Sequence, residues 1–347
     1  MDRSTGDTGP AGIDVGRVTA WLEEHVGLAG PLRFDRCMGG HSNLTYAVTD
    51  AAGRRAVLRR PPLGHLLPTA HDMSREWRLI YALQDTPVPV PPALGFCDDP
   101  DVTGSPFYAM GFVDGHVLHD AVTAERVYDE HERRRVGESF VDVLAALHDV
   151  DPDAVGLGEL GRKEGYIARQ LKRWYGQFGQ SKTEELPLVD QVHDFLASRI
   201  PEQGPARVVH GDYRLGNCLS NAENGILAVL DWEICTLGDP LADVGYVLAT
   251  WAERVDGDVD VSAPSVLPGF PTRAEVLERY AERSGRDVSL IDFYVSFSHW
   301  KSACIVEGVY ARYLQGALDS SGIDLSAYHR RVERAARMAA DAADRLP

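Results

Sequence analysis

Asp212, Asn217 and Asp231 are the side chains whose types and spacing could do chemistry. They stand in the run VVHGDYRLGNCLSNAENGILAVLDWEICTLGDPLADVGY, from Val208 to Tyr246. An amide follows the first carboxylate by five positions, and the second carboxylate ends an apolar, strand-like segment. Taken singly, each residue is an ordinary turn former. In this order they suit phosphoryl transfer from ATP. That reaction needs a carboxylate to orient and deprotonate an attacking hydroxyl, and oxygen ligands that hold Mg2+ across the β- and γ-phosphates. A hairpin turning through Asn221–Gly225 would return Asp231 to the side of Asn217, where the two could share the metal.

The elements that must position these groups are of two kinds. Ile13–Val26 has helical spacing, followed by strand signals at Leu32–Met38, Leu44–Thr49 and Arg55–Arg59. A helix over 71–84 and strands at Ala93–Asp98 and Phe107–Val113 complete a small mixed lobe. Beyond residue 114 the pattern turns helical: Arg133–His148, Gly165–Phe178, Val189–Ile200, Pro240–Trp251, Arg273–Ser284, Leu290–Leu314 and Ser326–Arg345. Short strands at Arg207–Val209, Cys218–Ser220 and Ile226–Leu230 interrupt it. Asp239 and Pro240 read as an N-cap and a first-turn proline. The expected organisation is a disordered tail over 1–12, a nucleotide-binding N-lobe over 13–113, and a catalytic, acceptor-binding C-lobe over 114–347.

Composition narrows the function classes. A net charge of −17, most of it falling after residue 115, excludes nucleic acid and anionic lipid as main partners. No apolar run is long enough to span a bilayer. The five cysteines are scattered without metal-ligand spacing, which fits reduced thiols in a cytoplasmic protein.

The chain resembles the aminoglycoside phosphotransferase/choline-kinase-like family, and most closely the subgroup found alone in bacteria or joined to acyl-CoA dehydrogenase domains. The motifs that carry the resemblance are GGHSNLTYAV (Gly39–Val48), AVLRRPP (Ala56–Pro62), REWRLI (Arg75–Ile80) and FYAMGFVDGHVL (Phe107–Leu118). HGDYRLGN (His210–Asn217), LDWEICTLGDPLADVGY (Leu230–Tyr246) and EGVYARY (Glu307–Tyr313) complete them. The resemblance implies an α+β, protein-kinase-like fold of two lobes, a small β-rich one and a larger helical one. It also implies ATP and Mg2+ as cofactors and a small-molecule acceptor.

The spacing His-x-Asp-x-x-x-x-Asn matches a kinase catalytic loop. Asp212 is then the general base, and Asn217 and Asp231 the metal ligands. His210 packs the loop, and Asp243 braces its backbone from the following helix. Gly39, Gly40 and Ser42 form the turn over the phosphates, where glycine removes the Cβ obstacle; Ser42 either reaches a phosphate or stabilises the turn. Arg59 takes the place of the usual phosphate-binding lysine, with Glu76 as its ion-pair partner. It is preferred to Arg60 because Val57 and Arg59 share a strand face. The resemblance also implies that Gly111 and Val113 offer backbone groups to the adenine edge. Arg214 either neutralises charge developing in transfer or makes a surface salt bridge. Glu233 adds a carboxylate near the metal, holding a water or touching substrate.

Tyr166, Gln170, Trp174, Trp232, His299, Lys301 and Tyr310 are candidate walls of the acceptor pocket. A basic Lys301 there would favour an acidic or CoA-linked acceptor over a polycationic drug. Three readings follow: a kinase for a small hydroxylated metabolite, an aminoglycoside or macrolide kinase, and a catalytically silent nucleotide-binding module suggested by Arg59.

Overall fold

The computed structural model describes residues 9–37, 43–64, 72–256, 260–318 and 321–346. The chain divides into two units, Met1–His116 with Leu227–Glu233, and Val117–Ile226 with Ile234–Pro347. The division falls three residues beyond the boundary expected at 113, and the strand end carrying Asp231 counts with the first unit.

In the first unit the order is α1 (Val15–His25), β1 (Arg33–Arg36), β2 (Leu44–Thr49), β3 (Arg55–Arg60), α2 (Met73–Leu83), β4 (Ala93–Cys97), α3 (Pro100–Thr103) and β5 (Phe107–Gly111). The strands form one antiparallel sheet, β1-β2-β3-β5-β4. Alternation decides which face is buried: Leu44, Tyr46 and Val48 of β2 point into a core shared with Leu58, Phe107 and Ala109. Helix α1 covers that core with Val18, Trp21 and Leu22, and Trp21 meets Phe107 edge-on at 4.9 Å. At Gly95, where β4 slips register, a Cβ would lie 2.9 Å from the Trp21 ring, so glycine is what leaves room for the indole's benzo edge against the strand. Asp72 starts α2 by accepting from the backbone N–H groups of Ser74 and Arg75.

Two carbonyls of the stretch expected to be a disordered tail are held by this unit. Tyr46 Oη donates to Ala11 O at 2.7 Å, and the Arg60 guanidinium donates to Gly12 O. The rest of that tail, 1–8, lies outside the described residues.

After β6 (His116–Val117), the second unit continues with α4 (Ala121–Val127), α5 (Glu130–Asp149), α6 (Tyr166–Ser181) and α7 (Pro187–Ala197). Next come β7 (Arg207–Val209), β8 (Cys218–Asn221), β9 (Gly225–Val229) and β10 (Thr236–Gly238). Four helices close the chain: α8 (Leu241–Thr250), α9 (Arg273–Ser284), α10 (Ile291–Leu314) and α11 (Leu325–Ala343). Helix α5 begins before the expected Arg133 because Asp129 and Glu132 form a capping box. β7 pairs antiparallel with β10, Val208 opposite Leu237. One correction concerns the start of α8. Pro240 is itself the N-cap, and Asp239 helps from one residue earlier by accepting from Leu241 N–H at 3.1 Å.

All five cysteines are free, and all but Cys37 are buried. Among the described residues no helix is long and apolar enough to cross a membrane.

Helices α8 and α10 pack tightly at Gly245, where an added Cβ would lie 2.5 Å from the backbone of Tyr294. Replacing a helical glycine by alanine ordinarily stabilises, by about 1 kcal/mol. Here the sign reverses. Gly245→Ala is expected to destabilise by roughly 1–3 kcal/mol, read as a lower denaturation midpoint in urea.

Candidate active site

The loop between β7 and β8 is shaped by a buried carboxylate from the next helix. Asp243, on the first turn of α8, accepts from the backbone N–H of His210 at 2.6 Å and of Gly211 at 2.8 Å. His148 of α5 adds its Nε2 at 3.3 Å, with Nδ1 placed 2.8 Å from Tyr280 Oη. Burial alone would raise the Asp243 pKa, but these donors bring it below the ordinary carboxylate value. Gly211, at φ 85°, makes the reversal that lets both N–H groups face one carboxylate. His210 is buried, and its Nδ1 accepts from Asp212 N–H at 3.3 Å.

This loop presents Asp212 with its two oxygens in different company. Oδ2 accepts from Asn217 Nδ2 at 2.8 Å and from Arg214 Nε at 3.3 Å. Oδ1 accepts from Tyr246 Oη, one turn along α8 from Asp243. Asn217 also donates to Asp212 O at 2.9 Å, so its carbonyl oxygen is the atom that could meet a cation. The Asp212 side chain is 29% exposed, open enough to meet an incoming hydroxyl. Tyr246 was missed by sequence reasoning. Its signal was available, since it lies three positions after Asp243 and therefore on the same helix face.

In the first unit, β3, β5 and α2 build a second polar cluster. Arg59 lies opposite Tyr108 in the β3–β5 register. Its guanidinium stands 3.0 Å from Glu76 Oε2 and 2.8 Å from Asp231 Oδ1. Tyr108 Oη donates to Glu76 Oε2 at 2.9 Å, and Asn43 Nδ2 lies 3.1 Å from Glu76 Oε1 and 3.5 Å from Glu233 Oε2. Arg60 turns away, toward Pro61 O and Gly12 O. Burial pushes the Glu76 carboxyl up to about 7, against the pull of Arg59 and Tyr108. Asp231 takes φ 66°, the one positive value among the described non-glycine residues. That turn ends β9 and aims the carboxylate at Arg59. The Gly111 N–H donates to Pro92 O at 2.8 Å, so it is already engaged within the protein. Gly39, Gly40 and Ser42 lie outside the described residues.

A model of the phosphotransferase enzyme family matches residues 35–287, spanning both clusters. The chain belongs to this family. Acyl-CoA dehydrogenase family member 10 of Mus musculus is 36% identical over 301 residues, covering 84% of this chain but only 28% of the mouse protein. The chain therefore spans about a quarter of that relative's length. A crystal structure from Ralstonia eutropha, assigned as an aminoglycoside phosphotransferase, superposes with a TM-score of 0.82 at 34% identity, covering 96% of this chain and 99% of that one. Aminoglycoside phosphotransferase APH(4)-Ia, in ternary complex with AMP-PNP and hygromycin B, shares the fold at a TM-score of 0.61 and 17% identity, covering 92% and 98%. The fold of this phosphotransferase is thus protein-kinase-like, with a small sheet-bearing unit and a larger helical one.

The expected acceptor walls of the phosphotransferase separate into three groups. Trp232 and Tyr166 are corrections, because both are buried: Trp232 donates to Val229 O, and the Tyr166 ring fills the space over Gly238. His299 lines a different cavity with Arg273 and Arg345, where burial and arginines lower its pKa to about 4. Tyr310 packs near His329. Trp174 and Lys301 do come together. Lys301 Nζ stands 5.6 Å over the Trp174 ring, Arg173 lies 5.2 Å from the same ring, and Gln170 accepts from the indole N–H.

Glu76 carries a pH consequence. Its folded pKa of about 7 lies above the ordinary 4.5, so its contribution is complete below pH 4.5 and is lost as pH rises through 7. The stability difference between wild type and Glu76→Gln is expected to change between pH 4.5 and 7 and to be flat on either side. Urea denaturation at several pH values measures it.

Proposed function

We propose that this phosphotransferase moves the γ-phosphoryl group of ATP to a hydroxyl of a small molecule, with Asp212 as the base. The observation that carries the reading is the seating of Asp212. Its carboxylate is oriented by Tyr246, Asn217 and Arg214, on a loop fixed by a buried aspartate. A base held at one orientation before substrate arrives lowers the barrier through positioning, which is most of what phosphoryl transfer requires of a protein. Arg214 would neutralise charge developing on the transferred group.

The nucleotide falls to the residues of the first unit. Gly39, Gly40 and Ser42 would cover its phosphates, Arg59, set by Glu76, would contact them, and Gly111 and Val113 would meet the adenine. AMP-PNP bound to the neighbour of 17% identity supports a nucleotide of this kind. Asn217 and Asp231 would hold Mg2+, with Glu233 close to Asp231 in sequence. Among the described residues no group of three His, Cys, Asp or Glu could cage a metal. Mg2+ keeps several of its waters and needs only one or two protein oxygens beside the phosphates. When bound, the ion draws off charge from the phosphate oxygens.

Lys301 argues for an anionic acceptor, such as an acyl-linked hydroxy metabolite. Burial lowers its pKa first of all, Asp243 and Asp212 pull it back up, and Arg173 opposes them. Its nearest cationic and aromatic company, Arg173 and Trp174, suits a carboxylate or phosphate better than a polycationic aminoglycoside. A silent nucleotide-binding module would have no chemical use for an oriented Asp212.

Two measurements test this. In the first, Asp212→Asn is expected to lower kcat by roughly 10²–10⁴ while ATP with magnesium still raises the melting temperature. Stabilisation by ATP without turnover by wild type, over a broad alcohol panel, would establish the silent module instead. In the second, Lys301→Ala is expected to raise KM for acidic acceptors about tenfold, some 1.4 kcal/mol, with little effect on neutral ones. Unchanged KM for both classes removes the anionic-acceptor reading.

A further inference from the structure

A separate cavity of about 530 Å³ opens in the helical unit, lined by the end of α5, residues 201–207, the start of α8 and the segment Ser284–Tyr294. Asp212, Asn217, Tyr246 and Lys301 take no part in its lining. Two arginines do, Arg207 of β7 and Arg286 of the turn after α9, and both are half-buried.

Their partners are incomplete. Among the described residues no carboxylate forms an ion pair with either guanidinium. Arg207 Nε is buried without a hydrogen-bond partner, while a second nitrogen of the group lies 3.4 Å from Ala206 O. Arg286 donates to His148 O at 2.6 Å. Three carboxylates also line the cavity, Asp149, Glu202 and Asp287, and all three residues are exposed. The fourth, Asp239, is buried, and its oxygens are taken by Tyr294 Oη at 2.6 Å and Leu241 N–H at 3.1 Å. The less exposed charged groups with donors to offer are the guanidiniums. Buried donors in native proteins find acceptors in protein, water or ligand, and a guanidinium fork matches planar or tetrahedral oxyanions.

We propose that this cavity binds a compact oxyanion, the phosphate or carboxylate head of a small metabolite, with Arg207 and Arg286 as its donors. Ser289 lines the same cavity with a hydroxyl, whereas the Ser284 hydroxyl is already donated to Tyr280 O at 2.7 Å. The site reaches the catalytic loop by a short path: Arg286 holds the carbonyl of His148, and His148 holds Asp243. Occupancy is thus expected to register in turnover as well as in binding. The proposal does not depend on which acceptor the enzyme uses.

Isothermal titration of the full chain with inorganic phosphate, and separately with malonate, tests it. Wild type is expected to bind one equivalent of at least one of the two. Arg207→Gln and Arg286→Gln are each expected to weaken that binding tenfold or more, while thermal stabilisation by ATP with magnesium is retained. Should Arg207→Gln fail to fold, Arg286→Gln, on an irregular segment, carries the comparison. The phosphate and malonate arms distinguish the two head groups. Equal binding by wild type and both variants would place the anion elsewhere and overturn the proposal. So would the absence of binding by wild type in both arms.

Discussion

A single buried carboxylate, Asp243, determines where the loop bearing Asp212 can go. Two consecutive backbone N–H groups, those of His210 and Gly211, point at it from the loop, and a buried histidine supports it from behind. Each would be costly to leave unpaired in the interior, so the loop has one low-energy path. The same helix then sends Tyr246 to Asp212 itself. One element fixes both the main chain of the loop and the orientation of the Asp212 side chain, and that coupling makes α8 more than packing.

The first unit solves a different problem, holding a cation among carboxylates in a sheet. Arg59 spans Glu76 and Asp231 with different nitrogens of one planar group. A lysine, a point charge on a flexible stem, could not hold both directions at once. Tyr108 and Asn43 complete the shell around Glu76, so its buried carboxylate is hydrogen-bonded on both oxygens.

Much of this was legible in the residues. The run from His210 to Asn217 and the later Asp231 pointed to the phosphotransferase family through type and spacing, and alternation along β3 separated Arg59 from Arg60. Helix α9 was readable to its last residue because Thr272 and Glu275 cap one end and Gly285 the other. Other features left weaker traces. Strand β10 and helix α4 are too short for periodicity to show. The start of α5 was announced by Asp129 and Glu132, yet the apolar stripe that begins at Val136 drew the boundary too late. The burial of Tyr166 and Trp232 could not be seen at all, since an aromatic residue beside a motif reads the same whether it lines a pocket or fills a core.

The backbone at Asp231 has a consequence for which side chains its position can hold. A left-handed conformation is tolerated by glycine, asparagine and aspartate, and is strained for longer side chains. Glutamate, the nearest chemical homologue, would keep the charge but pay in backbone strain. Asparagine would keep the shape and lose the charge. Geometry and charge therefore intersect at one amino acid, so the chain can drift away from aspartate here without strain only by becoming a weaker partner for Arg59.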